Sequence, residues 1–84
     1  GVEAQTRNAM GNITTALTEA CFLLQDVVRV VYYVTDAAFA DAVFPIVGEF
    51  FAEVRPAATM IVCDLIKPEM KIEIEVTARR LERD

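Results

Sequence analysis

Arg55-Pro56-Ala57-Ala58-Thr59-Met60-Ile61-Val62-Cys63, and after a short connection Met70-Lys71-Ile72-Glu73-Ile74-Glu75-Val76-Thr77-Ala78, is the stretch that decides the fold. Pro56 fixes its own φ and biases Arg55 toward an extended backbone, so a helix is expected to end before it. Thr59 to Cys63 is apolar and partly β-branched, too short for a typical helix, and reads as a buried strand. Asp64 ends it, and Leu65 to Glu69, with Pro68, reads as a connection. The second run alternates. Met70, Ile72, Ile74, Val76 and Ala78 share one face, and Lys71, Glu73, Glu75 and Thr77 share the other, the period of a half-buried strand.

Upstream, Val2, Thr6, Ala9, Met10, Ile13, Ala16, Leu17 and Ala20 fall at three- and four-residue spacings, one apolar stripe of a helix starting near Glu3. Gly11 and Thr14-Thr15 lower its intrinsic propensity. The exit through Cys21-Phe22-Leu23-Leu24 has no glycine to cap it. Val27 to Val34 follows Asp26 as a strand, apolar on both sides, which predicts cover on both faces. Helices supply one cover, and a neighbouring subunit is the economical source of the other. Asp36 is placed to cap a second helix over Ala37 to Glu53. Its apolar face is Phe39, Val43, Ile46, Val47, Phe50 and Phe51, and Pro45 predicts a kink or a fresh start near it. The order is helix, strand, helix, strand, strand, with the first two strands parallel across a crossover.

The chain has 84 residues, enough for one small domain. Its apolar fraction of 55% is high for that size. Small domains bury proportionally little of their surface, so the excess points to apolar area reserved for other subunits. The net charge is −5, and the basic residues cluster only at Arg79-Arg80 and Arg83. Phosphate backbones are held by clustered cations, so nucleic acid is disfavoured as a partner. Two cysteines cannot make a multi-bridge secreted framework, and no apolar run reaches membrane-spanning length. A reducing, cytoplasmic setting is the expectation. Histidine is absent, which removes the commonest general base and metal ligand. No zinc, P-loop or nucleophile-elbow pattern occurs, and no metal or cofactor is expected.

Several segments in this order resemble one family. They are Gln5-Thr6-Arg7, Ala9-Met10, Asn12-Ile13, Asp26-Val27-Val28, Val34-Thr35-Asp36, Glu49-Phe50-Phe51, Arg55-Pro56-Ala57 and Lys71-Ile72-Glu73-Ile74-Glu75. Together they are similar to the YjgF/RidA family, also labelled endoribonuclease L-PSP. The resemblance runs from Glu3 to Arg80. It implies an α+β, chorismate-mutase-like mixed sheet with both helices on one face, assembled as a homotrimer. It also implies a single domain over 1–84 that lacks the family's N-terminal third. In the family the last strand lies beside the first strand of this chain rather than forming a hairpin with the preceding one, and its outer edge would be guarded by Lys71, Glu73 and Glu75.

The resemblance also bears on chemistry. Members that deaminate enamines and imines carry an arginine two residues after the Pro56 position, which binds a substrate carboxylate through a bidentate pair. Ala58 stands there. The cysteine often found two residues later is Met60 here. Glu73 matches the family's pocket glutamate, a candidate general base; the plainer role is a solvated strand charge paired with Lys71 or a neighbour. Arg55 is a candidate substitute for the lost arginine, or a partner of Glu53. Thr59 offers a hydroxyl to a ligand or to the backbone. Cys21, Cys63, Tyr32 and Tyr33 read as packing residues. The expected function is a homotrimer binding a small carboxylate-containing metabolite between subunits, without enamine deaminase activity. The rivals are a structural protein with a vestigial cleft and an RNA-cleaving enzyme.

Overall fold

The computed structural model describes residues 1–80. Helix α1 spans Val2–Glu19, strand β1 Val27–Val34, helix α2 Ala40–Phe50, strand β2 Ala57–Val62 and strand β3 Ile72–Ala78. Short 3-10 turns over Leu24–Asp26 and Ala37–Phe39 lead into β1 and α2. The sheet order is β2-β1-β3, with β2 parallel and β3 antiparallel to β1. The last strand therefore pairs with the first, and no β2–β3 hairpin forms.

Both helices lie on one face of this mixed sheet. Val30, Tyr32 and Val34 of β1 point to them and are buried, as is Ile72 of β3, and these pack with Met10 and Leu17 of α1 and Val43 and Val47 of α2. Ile74, Val76 and Ala78 continue the same face of β3, as their alternation requires. Thr6 lies fully buried in the apolar stripe of α1, and its hydroxyl donates to the Val2 carbonyl at 2.7 Å, so no polar atom is left unpaired there.

Four local expectations change. Thr59 to Cys63 was expected to be buried, but β2 is an edge strand whose residues are exposed except for the half-buried Met60. It pairs on one side only, and a short apolar run has the same sequence signature at an edge as in an interior. Arg55 is not extended. Its φ is 51°, because the chain must reverse between the end of α2 and β2, and its N–H is held by the Phe51 carbonyl at 3.3 Å. The first strand has a bulge between Val27 and Arg29, which turns Val27 into the core and leaves Val28 47% exposed. Val27 thus needs no outside cover.

The fourth change is the restart of the second helix, which comes at Ala40 and leaves Pro45 inside α2. Asp36 does cap the segment, accepting from the Ala38 N–H at 2.8 Å. The end of α1 has no glycine, as its sequence requires. Cys21 itself takes the left-handed conformation there, with φ 65°. The Cys21 N–H donates to the Thr18 carbonyl at 3.0 Å and the Phe22 N–H to the Leu17 carbonyl at 2.8 Å. That is a Schellman closure built on cysteine in place of glycine.

The connection into β3 is fastened by α1. Gln5 donates to the Glu69 carbonyl at 2.9 Å and accepts from the Lys71 N–H at 2.8 Å. One amide side chain thus mimics a strand neighbour just where β3 begins. The Arg83 part of the basic C-terminal cluster lies outside the described residues.

Candidate functional site

A groove of about 250 Å³ opens between α2 and the β2 side of the sheet. Phe44, Val47, Gly48 and Phe51 form its helical wall, and Val30, Tyr32 and Ala58 form its floor. Its existence follows from side-chain size. Ala58 and Gly48 bring almost no volume, and a Cβ placed on Gly48 would meet nothing within 4 Å. Phe44 is 49% exposed at the opening. Arg55 and Pro56 close the end where the chain enters β2, and Arg55 is the sole charged residue of the lining.

Two of the sequence candidates, Arg55 and Ala58, therefore border one cavity. Met60 shares their face of the sheet, opposite Tyr32, but is half-buried against the core. Thr59 pairs with Val31 and points to the other face. Glu73 pairs with Tyr33, also on the far face, and lies on β3 at the opposite edge of the sheet. One chain does not bring Glu73 to Ala58.

The partners foreseen for these charges differ from those found. Among the described residues the one ion pair joins Arg7 of α1 to Glu49 of α2 at 3.2 Å, so Arg55 does not pair with Glu53. Lys71 does not reach Glu73; its ammonium stands 5.9 Å from the centre of the Phe39 ring. Glu75 instead accepts a hydrogen bond from the Tyr33 hydroxyl at 2.9 Å. That bond, with some burial, raises the Tyr33 pKa, since Glu75 accepts from the protonated phenol.

Tyr32 is the feature that sequence reading passed over as packing. It is buried to 3% exposure, and burial pushes its pKa up to about 12. Its hydroxyl bonds to no protein group among the described residues, in contrast to that of Tyr33. No side-chain polar atom among the described residues is both sealed from solvent and unpaired. The hydroxyl therefore keeps some contact with solvent, and Tyr32 is one of the residues that line the groove. A larger depression of about 420 Å³, between α2 and Leu24-Gln25, carries Glu49 and Glu53 and suits an anion poorly. No group of metal-ligating side chains occurs among the described residues, and no helix among them is long and apolar enough to cross a membrane.

Comparison with known proteins places this geometry. The family model described as Endoribonuclease L-PSP matches residues 1–80. The chain belongs to the endoribonuclease L-PSP family. RutC family proteins of Pyrococcus horikoshii and Pyrococcus abyssi are each 30% identical over 77 residues, covering 92% of this chain and 61% of theirs. The chain thus spans about three fifths of the length of these curated relatives. A member of the YjgF/YER057c/UK114 family from Mycobacterium tuberculosis superposes with a TM-score of 0.90 at 38% identity, over 93% of this chain and 67% of that one. A YjgF family protein from Neisseria meningitidis shares the fold, with a TM-score of 0.87 at 24% identity over 94% of this chain and 67% of its own. The α+β architecture of this L-PSP chain, with two helices on one face of a mixed sheet, is that of these neighbours.

Proposed function

We propose that this L-PSP chain works as a homotrimer that binds a small carboxylate-containing metabolite in clefts between subunits, and that it does not deaminate enamines. The separation of Ala58 from Glu73 carries the reading. They occupy opposite faces and opposite edges of one sheet, so a site using both takes them from two copies. The edge strand Ala57–Val62 bears no charge and leaves Ile61 and Val62 exposed, the kind of edge that a neighbouring copy covers. The free Cys21 and Cys63 suit a reducing, cytoplasmic compartment.

Ala58 argues against deamination. A substrate carboxylate arriving there meets a methyl group instead of a guanidinium fork, and the point charges of Lys67 or Lys71 do not reproduce bidentate geometry. Arg55 at the end of the groove supplies a cation for binding alone. RNA cleavage is disfavoured by the net charge of −5. Sedimentation equilibrium tests the assembly: a stable monomer at micromolar concentration would sink it. Turnover of a 2-aminoacrylate-type enamine is expected to be absent or very weak, and efficient turnover by the purified protein refutes the reading.

A further inference from the structure

We propose that the Tyr32 hydroxyl is a ligand-binding group of the Ala58 groove, and that the groove takes a carboxylate whose body is one aromatic ring bearing a polar substituent. This rests on the reading that the groove binds a small carboxylate, and it names the class.

Three features of the groove select that class. The first is size. A cavity of about 150 Å³ accommodates benzene, and the groove measures about 250 Å³. That leaves room for a ring with two small substituents and is below the range of about 300–1,000 Å³ usual for drug-sized ligands. The second is the wall chemistry. Phe44 from α2, Phe51 just past its C-terminal end and Tyr32 from β1 line one space with three aromatic side chains. Such walls favour an aromatic guest, stacked or edge-on, over a compact polar one.

The third feature is the pair of polar groups. Arg55 is the one charge on the lining, and it pairs with no carboxylate among the described residues. It offers a guanidinium to the ligand's carboxylate. Tyr32 is held in the core by its ring, yet its hydroxyl lacks a protein partner among the described residues. No side-chain polar atom among the described residues is both sealed from solvent and unpaired, so this hydroxyl keeps contact with water, and on a residue that lines the groove it can exchange that water for a polar group of a ligand. With its pKa pushed up to about 12 the hydroxyl keeps its proton at neutral pH, so it can both donate and accept. A hydroxyl or carbonyl on the ring satisfies it, whereas an unsubstituted ring does not.

The test measures binding of benzoate and of 4-hydroxybenzoate to the full chain by titration calorimetry or ligand-observed NMR. The wild-type chain is expected to bind both and to prefer 4-hydroxybenzoate by up to about tenfold, the scale of one neutral hydrogen bond. Tyr32→Phe keeps the ring and removes only the unpartnered hydroxyl, so the fold should persist. It is expected to leave benzoate affinity unchanged and to erase the preference. Arg55→Gly relieves a left-handed backbone, so it should raise thermal stability while weakening both ligands about tenfold or more. If the wild type binds both ligands equally, or Tyr32→Phe keeps the preference, the assignment of Tyr32 is overturned while carboxylate binding stands. If neither these nor aliphatic carboxylates such as pivalate bind, the carboxylate reading itself falls, and this proposal with it. Binding of pivalate without benzoate overturns the aromatic class alone.

Discussion

Ala58 and Glu73 point away from each other, one from the β2 edge toward the helices and the other from the β3 edge toward the open face. A cleft that uses both is closed by a second copy, so their roles separate experimentally. Glu73 is exposed and has no hydrogen-bond or ion partner among the described residues. Glu73→Gln is therefore expected to leave the melting temperature nearly unchanged, since exposed charges contribute about 0–1 kcal/mol. Ligand affinity or its pH dependence should change in the assembled protein. Should the variant dissociate the proposed trimer in sedimentation, Glu73 is an interface residue and its assignment to the cleft is wrong.

Cys21 closes α1 in a conformation that favours glycine. The left-handed backbone costs an L-residue roughly 1–2 kcal/mol, part of which glycine returns through its greater freedom when unfolded. Cys21→Gly should gain about 1 kcal/mol, seen as a rise of roughly 4–8 °C in Tm. Gly11 stands inside α1, where a Cβ would meet nothing within 4 Å, and Gly11→Ala should gain a similar amount from helix propensity. The sites are about 15 Å apart along the helix axis, so the two gains should add. A loss on Gly11→Ala would mean that another copy packs against that face.

These helix-end details separate what the residues declare from what they conceal. The strand Ile72–Ala78 is legible because every position obeys one alternation, and the Asp36 cap because its side chain has one obvious backbone target. The left-handed Cys21 is not legible, since cysteine carries no preference for that region. Nor is the Val27–Arg29 bulge, which moves Val27 to the core and Val28 outward without altering composition. The place of β3 beside β1 came from family resemblance, because a short connection by itself favours a hairpin. The groove escaped notice because its space is made by absences: Gly48 and Ala58 lie far apart in sequence, and neither is conspicuous alone. Tyr32 read as packing for a sound reason, since its ring does pack. Only the lack of a partner for its hydroxyl among the described residues marks it out.

Gln5 holds the entry of β3 with two hydrogen bonds, to Glu69 and Lys71. Gln5→Ala leaves the part-buried Lys71 N–H without its acceptor, a loss of about 1–3 kcal/mol. The effect should be local. Hydrogen exchange at Lys71 is expected to accelerate by at least tenfold while the amide of Val30, in the centre of the sheet, keeps the protection set by global stability. Uniform loss of protection across both amides would show that the clamp supports the whole fold and not just this connection.

The two adjacent tyrosines make stability depend on alkaline pH, with a definite sign. The Tyr32 pKa lies at about 12 in the folded chain, raised by burial from an ordinary value of 10.0. As pH climbs past 10 the unfolded chain loses this proton while the folded chain retains it. The unfolded state then binds fewer protons, so stability falls with rising pH through the window from about 10 to about 12, and the contribution is fully present below it. Tyr33 adds in the same direction, its pKa raised by the hydrogen bond to Glu75; because it is solvent-accessible, its share should be the smaller. Urea midpoints measured between pH 8 and 12 should therefore decline along a limb that Tyr32→Phe flattens strongly and Tyr33→Phe only slightly. Absorbance near 295 nm should show one phenol of the folded chain ionising late, and that late step should vanish in Tyr32→Phe. An unchanged limb in Tyr32→Phe would mean that water reaches the hydroxyl freely through the groove, so that burial no longer holds its proton.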